Sequence, residues 1–203
     1  MKVVMKMFDL TGKVAVITGA GSGLGRAFAE AMAEAGADVV CSDINTKDNE
    51  ATAERVRQLG RRALSVYCDV TDEQQVAELF HTADKEFGRV DIVFANAGIA
   101  DPTPSLLHEY QTDAWNKVLA VDLHGVFYTC REALKIMMRQ KSGKVIIVAS
   151  MWGLAGSSSV FPIPAYNAAK GAIVNLTREL ALQYAPHNIQ VNAICPGFFR
   201  TRL

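Results

Sequence analysis

The stretch Val14-Ala15-Val16-Ile17-Thr18-Gly19-Ala20-Gly21-Ser22-Gly23-Leu24-Gly25 decides the fold. Its first four residues are a continuous apolar run, the pattern of a short strand buried on both faces. Four glycines stand in the next eight residues, and Gly19, Gly23 and Gly25 among them suit a tight turn with close backbone approach. The residues from Gly23 to Ala35 then read as a helix that Gly36 ends. A helix starting from such a loop presents free N–H groups and the positive end of its dipole, a site for a diphosphate. The spacing is G-x3-G-x-G and departs from G-x-G-x-x-G, since Arg26 stands where the last glycine would fall. No Lys-Ser or Lys-Thr completes a P-loop, which excludes the ATPase and GTPase pattern.

Working outward, the same alternation continues. Asp38 to Ser42 is a second strand and Thr46 to Leu59 a second helix, closed by Gly60; Ala63 to Cys68 is a third strand. Thr71-Asp72-Glu73 opens the next helix with a capping residue and early acids, and Val76, Leu79, Phe80, Ala83 and Phe87 give it one apolar stripe. Val90 to Phe94 is the fourth strand, followed by a segment with two prolines and a long helix from Thr112 to Met138. Val145 to Ala149, a helix from Ala165 to Tyr184 and a strand from Ile189 to Ile194 complete the pattern. This implies one α/β domain over residues 1–203, a doubly wound, Rossmann-like parallel sheet covered on both faces. Ligands in such folds bind at the carboxyl ends of the strands.

Composition narrows the partners. Of 203 residues, 21 are basic and 21 acidic, giving zero formal net charge, so no basic surplus marks a nucleic acid or an anionic membrane. No apolar run reaches a bilayer-spanning length, and the N-terminus lacks the apolar core of a signal peptide. Cys41, Cys68, Cys130 and Cys195 lie far apart in apolar stretches and read as free thiols in a reducing cytoplasm, not disulfides or metal ligands.

Two features carry the chemistry. Asp43 ends the second strand twenty residues beyond Gly23, where a carboxylate can accept hydrogen bonds from both hydroxyls of an adenosine ribose and repel a 2′-phosphate. Ile44 and Asn45 follow it, with no arginine, so the sequence points to NAD over NADP. Tyr166 and Lys170 stand four apart on one helix face, with Ser150 sixteen residues before the tyrosine. A free tyrosine is almost wholly protonated at neutral pH, and an adjacent cation favours the phenolate. The pair is therefore a candidate for proton transfer to or from an oxygen.

Along nearly its whole length, from about Leu10, the chain resembles the short-chain dehydrogenase/reductase family. The likeness rests on Thr18 to Gly25, Asp69-Val70, Asn96-Ala97-Gly98, Ser150, Tyr166 with Lys170, and Pro196-Gly197, in that order. The resemblance implies that Gly19, Ser22, Gly23, Leu24, Gly25 and Asp43 hold the cofactor, that Asp69 and Val70 contact adenine, and that Asn96, Ala97 and Gly98 line the groove. It implies Tyr166 as general acid or base, Lys170 on the nicotinamide ribose, and Ser150 on the substrate oxygen. Pro196, Gly197 and Thr201 would border the nicotinamide. It further implies NAD-dependent conversion of a small secondary alcohol or ketone, such as a sugar acid or polyol, by a homotetramer or homodimer. The alternatives are an NADP-dependent 3-oxoacyl-thioester reductase and a non-catalytic dinucleotide-binding protein.

Three departures from the family pattern stand out. The interval from Ser150 to Tyr166 is wider than usual, with the surplus within Ser157 to Pro164; Ser157, Ser158 and Ser159 are rivals to Ser150. Asp122 stands where the family usually has an asparagine that helps hold a water near the lysine; an aspartate there favours protonated Lys170 if the two are close. The sequence stops at Leu203, so the resemblance implies that a last strand and part of a substrate lid are lacking from it.

Overall fold

The structure is a computed structural model and describes residues 8–200. It holds six strands, β1 (Val14–Thr18), β2 (Asp38–Asp43), β3 (Ala63–Tyr67), β4 (Ile92–Ala95), β5 (Gly143–Val148) and β6 (Ile189–Ile194). They form one sheet in the order β3-β2-β1-β4-β5-β6, every pair parallel. The order reverses between β1 and β4, which opens the crevice where ligands bind in doubly wound folds. Six helices connect the strands: α1 (Gly23–Glu34), α2 (Thr46–Gln58), α3 (Glu73–Phe87), α4 (Thr112–Leu119), α5 (Val126–Gln140) and α6 (Pro164–Tyr184).

All five residues of β1 are buried, as its apolar run requires. On one face of the sheet, Ala29 and Ala33 of α1 and Ala53 and Val56 of α2 pack on Ala15, Ile17, Val39 and Cys41. On the other, Leu79 and Phe80 of α3, Cys130 and Met137 of α5, and Ile173 of α6 pack on Val16, Val93, Val145 and Ile147. Each large apolar side chain so buried stabilises the fold by about 2 kcal/mol. Asp72 caps α3, accepting from the Gln74 and Gln75 N–H groups, and Gly88 ends that helix at φ +72°.

The structure corrects three expectations. β4 starts at Ile92: the Val90 N–H and carbonyl are both taken by the Gln140 side-chain amide, and Asp91 makes the first bonds to β1 and β5. The helix expected from Thr112 to Met138 is broken in the middle by a π-helical segment, Ala120–Gly125. Such a segment takes an extra residue into the turn and re-aims its side chains. The sheet is also not covered throughout on the α1–α2 side. Burial alternates along β6, with Gln190, Asn192 and Ile194 exposed, because α1 and α2 lie over β1, β2, β3 and β4 and the cluster they form takes in no residue of β6.

Candidate active site

Every expected site residue from Gly19 to Gly197 except Asp122, which the π-helical segment carries, falls at or just beyond a strand's carboxyl end, or on the helix start that follows it. Thr201 lies outside the described residues. The glycine loop is tied to the end of β4. Thr18 Oγ1 accepts from the Asn96 and Ala97 N–H groups at 3.1 Å each. Asn96 Nδ2 donates to the Thr18 carbonyl at 2.8 Å and to the Gly19 carbonyl at 3.2 Å. This closeness explains Gly25: a Cβ there would lie 2.0 Å from the Gly19 oxygen and 2.6 Å from Asn96 Nδ2. Gly19 and Gly23 adopt φ +66° and +52°, open to glycine at little cost.

Asp43 faces this loop. Its Oδ2 accepts from the Gly21 N–H at 2.9 Å and its Oδ1 from the Asn45 N–H at 2.8 Å. A Cβ on Gly21 would sit 2.9 Å from Asp43 Oδ2, so the loop and the carboxylate enclose a narrow cradle. Asp69 accepts from the Thr71 N–H and hydroxyl, while Val70 is buried against Gly125, whose Cβ would lie 2.8 Å from Val70 Cγ2. Two braces were not anticipated from the sequence. Arg26 Nη2 donates to the Gly21 carbonyl at 2.6 Å and its Nε to Thr52 Oγ1, and Thr52 Oγ1 donates to the Ala20 carbonyl at 2.9 Å. The signal was an arginine at a position open to glycine, but its partner on α2 is visible only in three dimensions.

The reacting side of the crevice is built on β5, α6 and the π-helical segment. Ser150 caps a 3-10 turn, Met151–Gly153, and its Oγ accepts from the Trp152 N–H at 3.2 Å. That turn lies hard against α6: a Cβ on Gly153 would be 2.6 Å from the Lys170 carbonyl oxygen. The Met151 N–H donates to the Pro196 carbonyl at 3.0 Å, which fastens the loop after β5 to the loop after β6. Tyr166 is in the first turn of α6 and packs with Val118, Ala165 and Ala169 beside Tyr110 and Trp115. Lys170, buried one turn on, has its Nζ 5.4 Å from the centre of the Tyr166 ring. Nζ donates to the Val148 carbonyl at 3.1 Å and pairs with Asp122 Oδ1 at 3.2 Å. Asp122 is fully buried and accepts from the Ile99 N–H at 3.2 Å. Gly98 makes room for the pair, since a Cβ there would be 2.5 Å from Asp122 Oδ1.

A model of the short chain dehydrogenases matches residues 13–203. The chain belongs to the short-chain dehydrogenase family. It is 44% identical over 191 residues to the cis-4-hydroxycyclohexanecarboxylate dehydrogenase of Sinomonas cyclohexanicum, covering 94% of this chain and 75% of that protein. It is 39% identical over 199 residues to the 2-dehydro-3-deoxy-D-gluconate 5-dehydrogenase of Dickeya dadantii, covering 98% of this chain and 76% of the relative. Among solved structures it is similar to an NAD+-bound xylitol dehydrogenase, with TM-score 0.89, 36% identity, and coverage of 93% of this chain and 71% of that one. The protein is thus a short-chain oxidoreductase of the alcohol dehydrogenase and carbonyl reductase type that binds a nicotinamide cofactor.

Among the described residues no group of three or more His, Cys, Asp or Glu could hold a metal ion, and no helix is long and apolar enough to cross a membrane. The four cysteines are free; burial pushes the Cys130 and Cys41 thiols up to about 12 and Cys68 to about 11, so these three are not ready thiolates.

Proposed function

We propose that this short-chain dehydrogenase interconverts a secondary alcohol and its ketone with NAD, and that Tyr166 is the general acid and base. The observation that carries the reading is the packing of the Ser150 turn against the helix bearing Tyr166 and Lys170, at the end of the crevice that begins at the glycine loop. NAD, when bound, supplies the hydride acceptor or donor. Its diphosphate would lie on the N–H groups of Gly19 to Gly25, and Asp43 would take the adenosine ribose. Asp69 and Val70, Asn96 to Gly98, Pro196, Gly197 and Thr201 are its further expected contacts. The Gly21–Asp43 cradle suits a ribose without a 2′-phosphate, because the carboxylate closes it with negative charge.

The side chains divide the work. In oxidation the Tyr166 hydroxyl oxygen takes the alcohol proton; in reduction it returns it to the carbonyl oxygen. Ser150 Oγ already accepts from Trp152, which leaves its own proton for the substrate oxygen, where negative charge develops. Lys170 has three N–H groups, of which Val148 and Asp122 take two, leaving one for the Tyr166 side and the nicotinamide ribose.

The rim of the reacting end is apolar. Residues 151–165 include no charged side chain. Trp152 packs edge-on to Phe198 with ring centres 6.3 Å apart, and Leu154, Val160 and Phe161 are exposed. An apolar wall contacts a carbocyclic ring better than a chain of hydroxyls, each of which needs a polar partner when buried. The preferred substrate is therefore a cyclic secondary alcohol or its ketone, with polyols and sugar acids behind it. The first relative above, named for a hydroxycyclohexanecarboxylate, supports this order. Initial rates of NAD reduction with cyclohexanols, polyols and sugar acids test the reading. Turnover that favours the cyclic alcohols supports it; no NAD-linked turnover on any secondary alcohol or ketone contradicts it.

The assembly is proposed to be a homotetramer or homodimer. Phe127 and Met138 on α5 and Leu182 on α6 are exposed, apolar, and suited to a second copy. Four free thiols suit a cytoplasmic setting.

A further inference from the structure

Asp122 is a side chain that the proton transfer does not itself require, yet the fold goes to some length to place it. The π-helical segment carries it, Gly98 leaves space for it, and its carboxylate is fully buried. A buried carboxylate without partners is costly, and this one is met by Lys170 at 3.2 Å and by the Ile99 N–H. We infer that Asp122 is a positioning residue and a fixed counter-ion, which makes Tyr166 work beside a net-neutral Lys170–Asp122 pair instead of a lone buried ammonium. The inference rests on the catalytic reading of Tyr166 given above.

The physical consequence is directional. A lone cation beside the phenol stabilises the phenolate that accepts the alcohol proton, and a carboxylate behind that cation opposes this stabilisation. Asp122 therefore places the enzyme's oxidation activity at higher pH than a neutral residue would. The charges around Asp122 allow this reading. From α6 it meets Lys170; from the loop after β4 it meets the uncharged Gly98 and the Ile99 N–H. Lys170 is the charged group that acts on it. Burial raises the carboxyl above its ordinary range and Lys170 pulls it back down. With Lys170 as the ammonium and Asp122 as the carboxylate, the pair carries no net charge.

An isosteric substitution separates charge from shape. Oδ1 of Asp122 serves both Lys170 and the Ile99 N–H, so an asparagine with its oxygen in that place keeps both bonds and loses the charge and the longer 3.4 Å bond from the Ile99 N–H to Oδ2. In Asp122→Asn the ascending limb of the kcat/KM profile for alcohol oxidation should move to lower pH by about one unit. Activity below the limb then rises up to about tenfold, with the plateau and NAD affinity little changed. A purely structural role would lower the plateau or the melting temperature and leave the limb in place. Asp122→Ser, also uncharged and smaller, should shift the limb the same way and replaces the asparagine variant if that one does not fold. A limb that stays put or moves to higher pH overturns the inference. Tyr166→Phe, run in parallel, keeps the two claims apart. If it retains turnover, the catalytic reading fails; if it is inactive while the Asp122→Asn limb is unmoved, only the counter-ion role fails.

Discussion

Two buried carboxylates sit at opposite ends of the same sheet, and they are held in opposite ways. Asp91, before β4 at the amino end, is 7% exposed and gathers donors from all sides. Arg89 donates through Nε at 2.7 Å and Nη2 at 2.6 Å, the Val14 N–H at 3.0 Å, and Lys13 pairs at 3.5 Å. Burial would raise its carboxyl, but Arg89, the Val14 N–H and Lys13 outweigh that and hold it below the ordinary range. Asp122, at the carboxyl end, has one cation and one N–H, and burial wins, raising it. Full satisfaction at Asp91 stitches β1 to β4 and the helix end; partial satisfaction at Asp122 leaves a charge pair whose balance can act on a neighbour. Fold strength is concentrated at one end of the sheet and chemistry at the other, as the strand-end rule for such folds requires.

The comparison can be broken from the carboxyl end first, where the largest effect is expected. Lys170→Met should cut kcat about a thousandfold, with the protein still cooperatively folded, because Asp122 can protonate once its cation is gone. A variant that unfolds but keeps its turnover per folded molecule would put Lys170 among the structural residues instead. At the amino end the pattern reverses. Asp91→Ala leaves the Val14 N–H and the Arg89 guanidinium without their acceptor and should cost about 3 kcal/mol by urea unfolding, with kcat within about twofold. Loss of kcat without loss of stability there would end the division of labour.

A smaller effect is expected at the glycine loop. Asp43→Ala removes the carboxylate from the cradle, and the NADP-to-NAD ratio of kcat/KM should rise about tenfold; an unchanged ratio argues against the ribose assignment. The smallest is a pH effect. A carboxyl lowered in the folded state contributes stability that is present above the unfolded value, near 4, and is lost as pH falls through the folded one. As pH falls through the unfolded carboxyl value and then the lower folded one, the wild type should therefore lose more stability than Asp91→Ala. Asp122, raised in the folded state, has the opposite sign: its contribution is present at low pH and lost as pH rises.

The elements that were legible in the sequence are those fixed by local physics. β1 reads from four apolar residues, the phosphate loop from glycines that need positive φ, and α3 from its Asp72 cap and its stripe. The alignment of Tyr166 and Lys170 reads from a helical spacing. What was not legible depends on neighbours far along the chain. The π-helical break in the long helix leaves no local mark in Ala120 to Gly125, because the aim of Asp122 follows from Lys170 and Gly98 on other elements. The same holds for Arg26, whose partners are a loop carbonyl and Thr52 on α2. The open face of β6 was hidden because its alternation of buried and exposed residues reports which helices lie above it, and helix length alone does not say where they lie.

The central claim is that Tyr166 carries the proton in an NAD-linked reaction, and Tyr166→Phe tests it most directly. NADH formation from a cyclic secondary alcohol should fall at least a thousandfold, while NAD binding, measured by calorimetry on the same preparation, stays within about threefold of wild type. Turnover comparable to wild type, with NAD binding intact, would contradict the account.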